Sequence, residues 1–141
     1  MIVKLWLTIH AGGVVMIRWY VRSVANPDGR IEVLYFDGCP STDAFLPRLR
    51  DLLARLGATD RLELRRVETI LDAERERFLG SPSVRVDGYD IEPGADERTD
   101  YGLKCRLYRT ESGMQGAPST DWLLAALGLD PASENQSGPH D

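Results

Sequence analysis

Cysteine and histidine are both scarce, with two of each in 141 residues. Cys39 and Cys105 are too few for a disulfide framework, and neither lies in the CxxC spacing of a structural zinc site. A reduced, cytoplasmic protein is the simplest reading of that usage. His10 and His140 lie near the two ends, outside any periodic segment, so neither is a candidate general base. Positive charge is also short: 17 Lys and Arg stand against 22 Asp and Glu, for a net charge of −5 and a pI near 5.1. A nucleic-acid binder needs a basic face to displace counterions from phosphate, so no nucleic-acid partner is expected. Long apolar runs are missing too. The stretch from Leu5 to Ile17 is broken by His10, Gly12 and Gly13 and falls short of the roughly 20 residues that span a bilayer, so no membrane partner is expected. Residues 1–30 are predicted to form a weakly ordered leader or an extra strand. A signal peptide ending near "SVAN" and a start at Met16 are alternative readings of the same stretch.

What is present is a regular alternation of elements from residue 31 onward. "IEVLYF" is β-branched and aromatic with almost no polar interruption, which suits a central strand covered on both faces. Asp37 and Gly38 end it. In "PSTDAFLPRLRDLLARLG", Phe45, Leu49, Leu52, Leu53 and Leu56 share one helical stripe and Gly57 terminates it. "RLELRRVE" alternates Leu62 and Leu64 with charge, predicting a less buried strand parallel to the first. A short helix capped by Asp72 follows, stopped at Gly80, and "SVRVDG" reads as a third strand ending in an Asp-Gly turn. Residues 88–101 read as a solvated loop. Their acids (Asp90, Glu92, Asp96, Glu97 and Asp100, with Asp87 just before) fit no EF-hand spacing. "LKCRLYRT" predicts a fourth strand with Leu103, Cys105 and Leu107 inward and Lys104, Arg106 and Tyr108 outward. Pro118 opens a last helix burying Trp122, Leu123 and Leu127. Residues 129–141 are polar and aperiodic, predicting a disordered tail.

The order is thus β-α-β-α-β-β-α over residues 31–128, an α/β sandwich on a mixed four-stranded sheet. Cys39 stands between the first strand and first helix, Pro47 lies eight residues on, and Ser81-Pro82 directly precedes the third strand. Together these resemble the thioredoxin-like superfamily. More narrowly, "FDGCP", "FLGSPSVRVDG" and "YGLKCRLYRT" resemble a bacterial family of thioredoxin-like proteins and selenoproteins, some labelled alkylmercury lyase. The resemblance implies a reactive thiol at Cys39 and a cis Ser81-Pro82 bond beside it, with Pro82 as a backbone ledge for an extended partner. It also marks a departure: the resolving position of a CxxC motif is Thr42, so the motif is "CPST" and a dithiol cycle within it is excluded.

One-thiol chemistry remains, for which a helix start is suited, because free amides and the positive dipole end favour thiolate. Thr42 can donate a further hydrogen bond, whereas an Asp37 carboxylate facing the sulfur would oppose ionisation. The catalytic candidates are Cys39, Thr42 and Pro82. Cys105, on the fourth strand, is expected in the core some 13 Å from Cys39 at strand rise, beyond disulfide reach. Arg106 and Arg109 read as solvated strand arginines or a carboxylate site. No cofactor is implied, and the expected partner is a thiol-containing protein or small thiol. Three functions stand open: a monothiol thioredoxin-like oxidoreductase, a non-catalytic binding module of the same fold, and alkylmercury lyase-like mercury handling by Cys39 and Cys105 with Asp37 as acid.

Overall fold

The computed structural model describes residues 3–5, 19–21 and 28–129. Val3–Leu5 (β1) and Trp19–Val21 (β2) pair antiparallel with each other, Val3 opposite Val21, and neither joins the main sheet. Leader residues 1–2, 6–18 and 22–27, with His10 and Met16, and the tail from residue 130, with His140, lie outside the described residues.

The apolar run becomes Ile31–Tyr35 (β3), an interior strand of a four-stranded sheet. Alternation along it divides the core in two. Ile31 and Val33 face Leu49, Leu52 and Leu53 of the helix Pro40–Arg55 (α1) and Leu123 of Thr120–Ala126 (α3). Leu34 faces the other way, toward Val67, Ala73 and Phe78. Ala73 belongs to the short helix Ile70–Arg75 (α2), so helices cover both sides of the sheet. Removing a Leu, Ile or Phe side chain from water contributes about 1.5–3 kcal/mol, which makes these two apolar layers the main support of the domain.

Leu62–Arg66 (β4) pairs parallel with β3, Ile31 opposite Leu62, through the α1 crossover. It lies at the sheet edge, which explains why charge alternates with leucine along it. Ser83–Val86 (β5) runs antiparallel on the other side of β3. The sheet order is β4-β3-β5-β6, where β6 is Tyr89–Asp90. The chain is therefore mixed α/β with a mixed four-stranded sheet, and none of its described helices is long and apolar enough to cross a membrane.

Three local expectations are corrected. The cap of α2 is Thr69, whose hydroxyl accepts from the Asp72 amide at 3.0 Å, so Asp72 sits inside the first turn. The fourth strand is β6, within the stretch expected to be a solvated loop. Asp87 and Gly88 both take positive φ, 51° and 86°, the backbone of a tight hairpin turn, so β5 pairs at once with the residues that follow it. The stretch 103–108 does not enter the sheet. Leu103 packs inward and Lys104 is exposed as expected, but from Cys105 the alternation is reversed: Arg106 and Tyr108 are buried while Leu107 is 61% exposed and Cys105 is at the surface. Beyond it, Tyr108–Thr110 (β7) and Gly113–Gln115 (β8) form a small hairpin leading to α3.

Candidate functional site

Cys39 is the N-cap of α1, with φ −85° and ψ 111°, and Pro40 occupies the first turn where a missing N–H costs nothing. Its carbonyl accepts from the amides of Thr42 and Asp43 at 3.2 and 3.4 Å. Because β3 ends at Tyr35 and only the short turn at residues 36–38 separates it from Cys39, the thiol lies at the carboxyl end of the two parallel strands. Pro47 sits inside α1, removing one helical donor about two turns further on. A reactive thiol at a helix start is expected from the sequence to be at least partly exposed, but Cys39 is only 1% exposed.

Ser81-Pro82 is a cis peptide bond, and its surroundings place Ser81 over Cys39. The Cys39 thiol lies 3.5 Å from the Ser81 carbonyl oxygen, and Thr42 Oγ1 is 2.6 Å from Ser81 Oγ. Pro82 is buried, and its carbonyl accepts the Tyr108 hydroxyl. The three sequence candidates Cys39, Thr42 and Pro82 thus come together around Ser81, a residue that pattern reasoning treated only as the one before proline.

Cys105 comes to the same place. Its Sγ is 3.2 Å from Cys39 Sγ, against the roughly 13 Å that strand rise implies. The cause is backbone pairing outside the sheet. The Ser81 amide donates to the Lys104 carbonyl at 2.8 Å, and the Arg106 amide donates to the Ser81 carbonyl at 2.9 Å, a parallel bridge with Cys105 at its centre. Gly80 permits that approach. It has φ +132°, and a Cβ there would meet Arg106 Cβ and the Lys104 oxygen, both at 2.9 Å.

Arg106 anchors the returning segment from beneath. Its guanidinium grips both Asp90 oxygens, at 2.6 and 3.0 Å, reaches Ser83 Oγ at 2.8 Å and Glu92 at 3.4 Å, and lies 4.4 Å from the Tyr108 ring centre. A fully buried arginine is tolerable only with such a set of acceptors. Neither reading of Arg106 from sequence, solvated or carboxylate-binding for a ligand, describes this internal pair. Asp90 and Glu92 are correspondingly structural, which corrects the solvated reading at those two positions, while Asp96, Glu97 and Asp100 are exposed as expected. Burial pushes the Tyr108 hydroxyl well above its usual range and so keeps it a donor to Pro82.

The two thiols differ in ionisation. Burial pushes Cys39 up, but hydrogen bonds from the Cys105 thiol, the Thr42 amide, and the Ser81 and Thr42 hydroxyls outweigh it and bring the pKa down from 9.0 to about 7. Cys105 moves upward, first because it donates to Cys39, then through burial and through repulsion by the Cys39 charge. Asp37 does not face the sulfurs. Its carboxylate is exposed and takes Arg66 Nη1 at 2.9 Å.

Among the described residues no three His, Cys, Asp or Glu side chains converge as a metal cluster, which leaves the thiol pair as the candidate for a soft ion. With metal–sulfur bonds of about 2.3 Å, a linear two-thiolate complex would hold its sulfurs about 4.6 Å apart. The pair would have to open to accept it. Closing to a disulfide, at an S–S length of about 2.05 Å, requires a smaller movement. No protein-family model, curated protein or solved structure matches this chain.

Proposed function

We propose that the chain is a thioredoxin-like thiol–disulfide exchange protein whose redox pair is Cys39 and Cys105 rather than a CxxC motif. The observation that carries this is the 3.2 Å contact between two thiols, one at a helix start with its pKa lowered to about 7. A thiolate fraction near one half at neutral pH, next to a second sulfur, is what disulfide formation and exchange require. The sheet order β4-β3-β5-β6, the cis Ser81-Pro82 bond beside the thiol and the helices on both faces support the thioredoxin-like part of the reading. The expected partners are protein or small-molecule thiols, and two cysteines in 141 residues fit a reducing, cytoplasmic setting.

The single-thiol version of this function follows only if Cys105 is remote, and it is not. The mercury-handling reading gains a second soft ligand from the same contact. It loses its acid, because Asp37 is turned to Arg66 and away from the sulfurs. The redox reading therefore ranks first. Mild oxidation of the native protein is expected to remove both titratable thiols with loss of two hydrogens from the intact mass and no dimer, and peptide mapping is expected to recover a Cys39–Cys105 link. Retention of two free thiols, or oxidation only to sulfenic acid or an intermolecular dimer, would leave the dithiol function without its centre.

A further inference from the structure

The two sulfurs are in contact yet unequal in access. Cys39 is enclosed by Ser81, Thr42 and Cys105, and is 1% exposed. Cys105 is at the surface, on a segment whose neighbours Lys104 and Leu107 are also exposed. An incoming thiolate must approach a disulfide along the S–S axis, from behind the sulfur it attacks. For a Cys39–Cys105 bond, the approach to Cys39 passes through packed protein, and the approach to Cys105 comes from solvent.

We propose that partner molecules are linked through Cys105, with Cys39, the thiol at the helix start, serving as the leaving group and resolving thiol. This rests on the redox reading above and assigns its two roles in the opposite order to that expected from the position of Cys39. In one direction, a partner thiolate attacks Cys105 Sγ of the oxidised pair. The Cys39–Cys105 bond breaks, its electrons stay on Cys39 as thiolate, and the partner is held on Cys105. A second thiolate of the same partner then attacks the partner's own sulfur, forming the partner disulfide and releasing Cys105 as thiolate, which takes a proton from water. Two partner thiols are oxidised and one protein disulfide is reduced. In the reverse direction, Cys39 thiolate attacks Cys105 Sγ and expels the partner.

Ionisation acts in the same sense as access. The better leaving thiolate is the one of lower pKa, and with Cys105 joined to a partner the Thr42 amide and the Ser81 and Thr42 hydroxyls still act to lower that of Cys39. Once Cys105 holds the partner, the donors left to the Cys39 thiolate are those of Thr42 and Ser81, so these two residues position and stabilise the leaving sulfur.

The test uses the oxidised full-length chain. It is mixed with N-acetylcysteine, quenched in acid within the first fraction of turnover, alkylated and mapped by peptide mass. The adduct is expected on Cys105 as the main species, with Cys39 alkylated, because only Cys105 is open to solvent. An adduct on Cys39, or an even distribution, overturns the assignment while leaving the dithiol function intact. Failure of the oxidised chain to contain a Cys39–Cys105 bond before mixing removes the dithiol function, and this assignment with it.

Discussion

The two halves of the site are held in different ways. Cys39 rests on the unit formed by β3, α1 and β4, whose support is apolar area: Ile31, Val33, Leu34 and Leu53 are all fully buried against helices. Cys105 rests on the segment 103–108, whose support is directional. It is fixed by two backbone bonds to Ser81, by the Arg106–Asp90–Ser83 cluster and by the Tyr108 hydroxyl on Pro82. Apolar packing tolerates small displacements, because it depends on area and not on angle. Polar anchoring tolerates almost none, since an unmade buried hydrogen bond costs its full desolvation. The contact between the sulfurs therefore depends more on the polar half, even though the stability of the domain depends more on the apolar one.

Breaking the polar half is expected to have the largest effect. Arg106→Met leaves Asp90 and Ser83 without their partner and is expected to cost about 3–5 kcal/mol in urea unfolding, with loss of the intramolecular disulfide in whatever folded protein remains. Breaking the apolar half gives a comparable cost with the opposite consequence for the site. Leu53→Ala, at a fully buried position of α1, is expected to lose about 2–5 kcal/mol, yet its native fraction should still form the Cys39–Cys105 bond. If both variants lost disulfide formation in proportion to stability, the two halves would not be separable.

Gly80→Ala probes the contact more locally. The added Cβ has no room against Arg106 and Lys104, and φ +132° disfavours any side chain, so a cost of about 2 kcal/mol is expected. Because the clash lies directly under the bridge to Cys105, the redox equilibrium with glutathione should shift by at least ten-fold toward the dithiol, corresponding to about 1.4 kcal/mol.

A smaller effect is expected from pH. The folded Cys39 pKa of about 7 lies below the 9.0 of an ordinary thiol, so between those values the unfolded chain holds a proton that the folded chain has lost. Stability of the reduced protein therefore rises with pH from about 7 to 9, and this contribution is absent below 7. Cys105, shifted upward, acts in the opposite sense once the pH exceeds 9.0. Ultraviolet thiolate absorbance should titrate near pH 7 in the wild type, and Cys105→Ala, which removes the first of the hydrogen bonds that lower Cys39, should raise that midpoint. The smallest effect is expected at Leu107. Its exposed side chain should be replaceable by Ser within about 0.5 kcal/mol, whereas an inward-facing leucine of a fourth strand would cost several times more.

Most of the first half of the domain was legible because its information is local. The run Ile31–Phe36, the stripe through Leu49, Leu52 and Leu53, and the alternation of Leu62 and Leu64 each state a period and a buried face within a few residues, and the parallel β3–α1–β4 connection follows from their order. Cys39 at the helix start was legible for the same reason, whereas the expectation that Ser81-Pro82 lies beside it came from the resemblance to the thioredoxin-like superfamily. Residues 103–108 misled because their alternation admits two registers. Pattern assigns the leucines inward, but a buried arginine is stabilised when Asp90, Glu92 and Ser83 converge on it, and no short window of sequence reveals that convergence. The Asp87-Gly88 turn was the available clue: a tight hairpin there makes Tyr89–Asp90 the fourth strand and releases 103–108 from the sheet. The sequence by itself thus determined the elements of the first half and the setting of one thiol. Only the tertiary structure decided that Gly80 would let a distant segment lie against Ser81, and so that the second thiol would meet the first, because a contact between residues so far apart in the chain depends on backbone pairing and burial that neither local segment specifies alone.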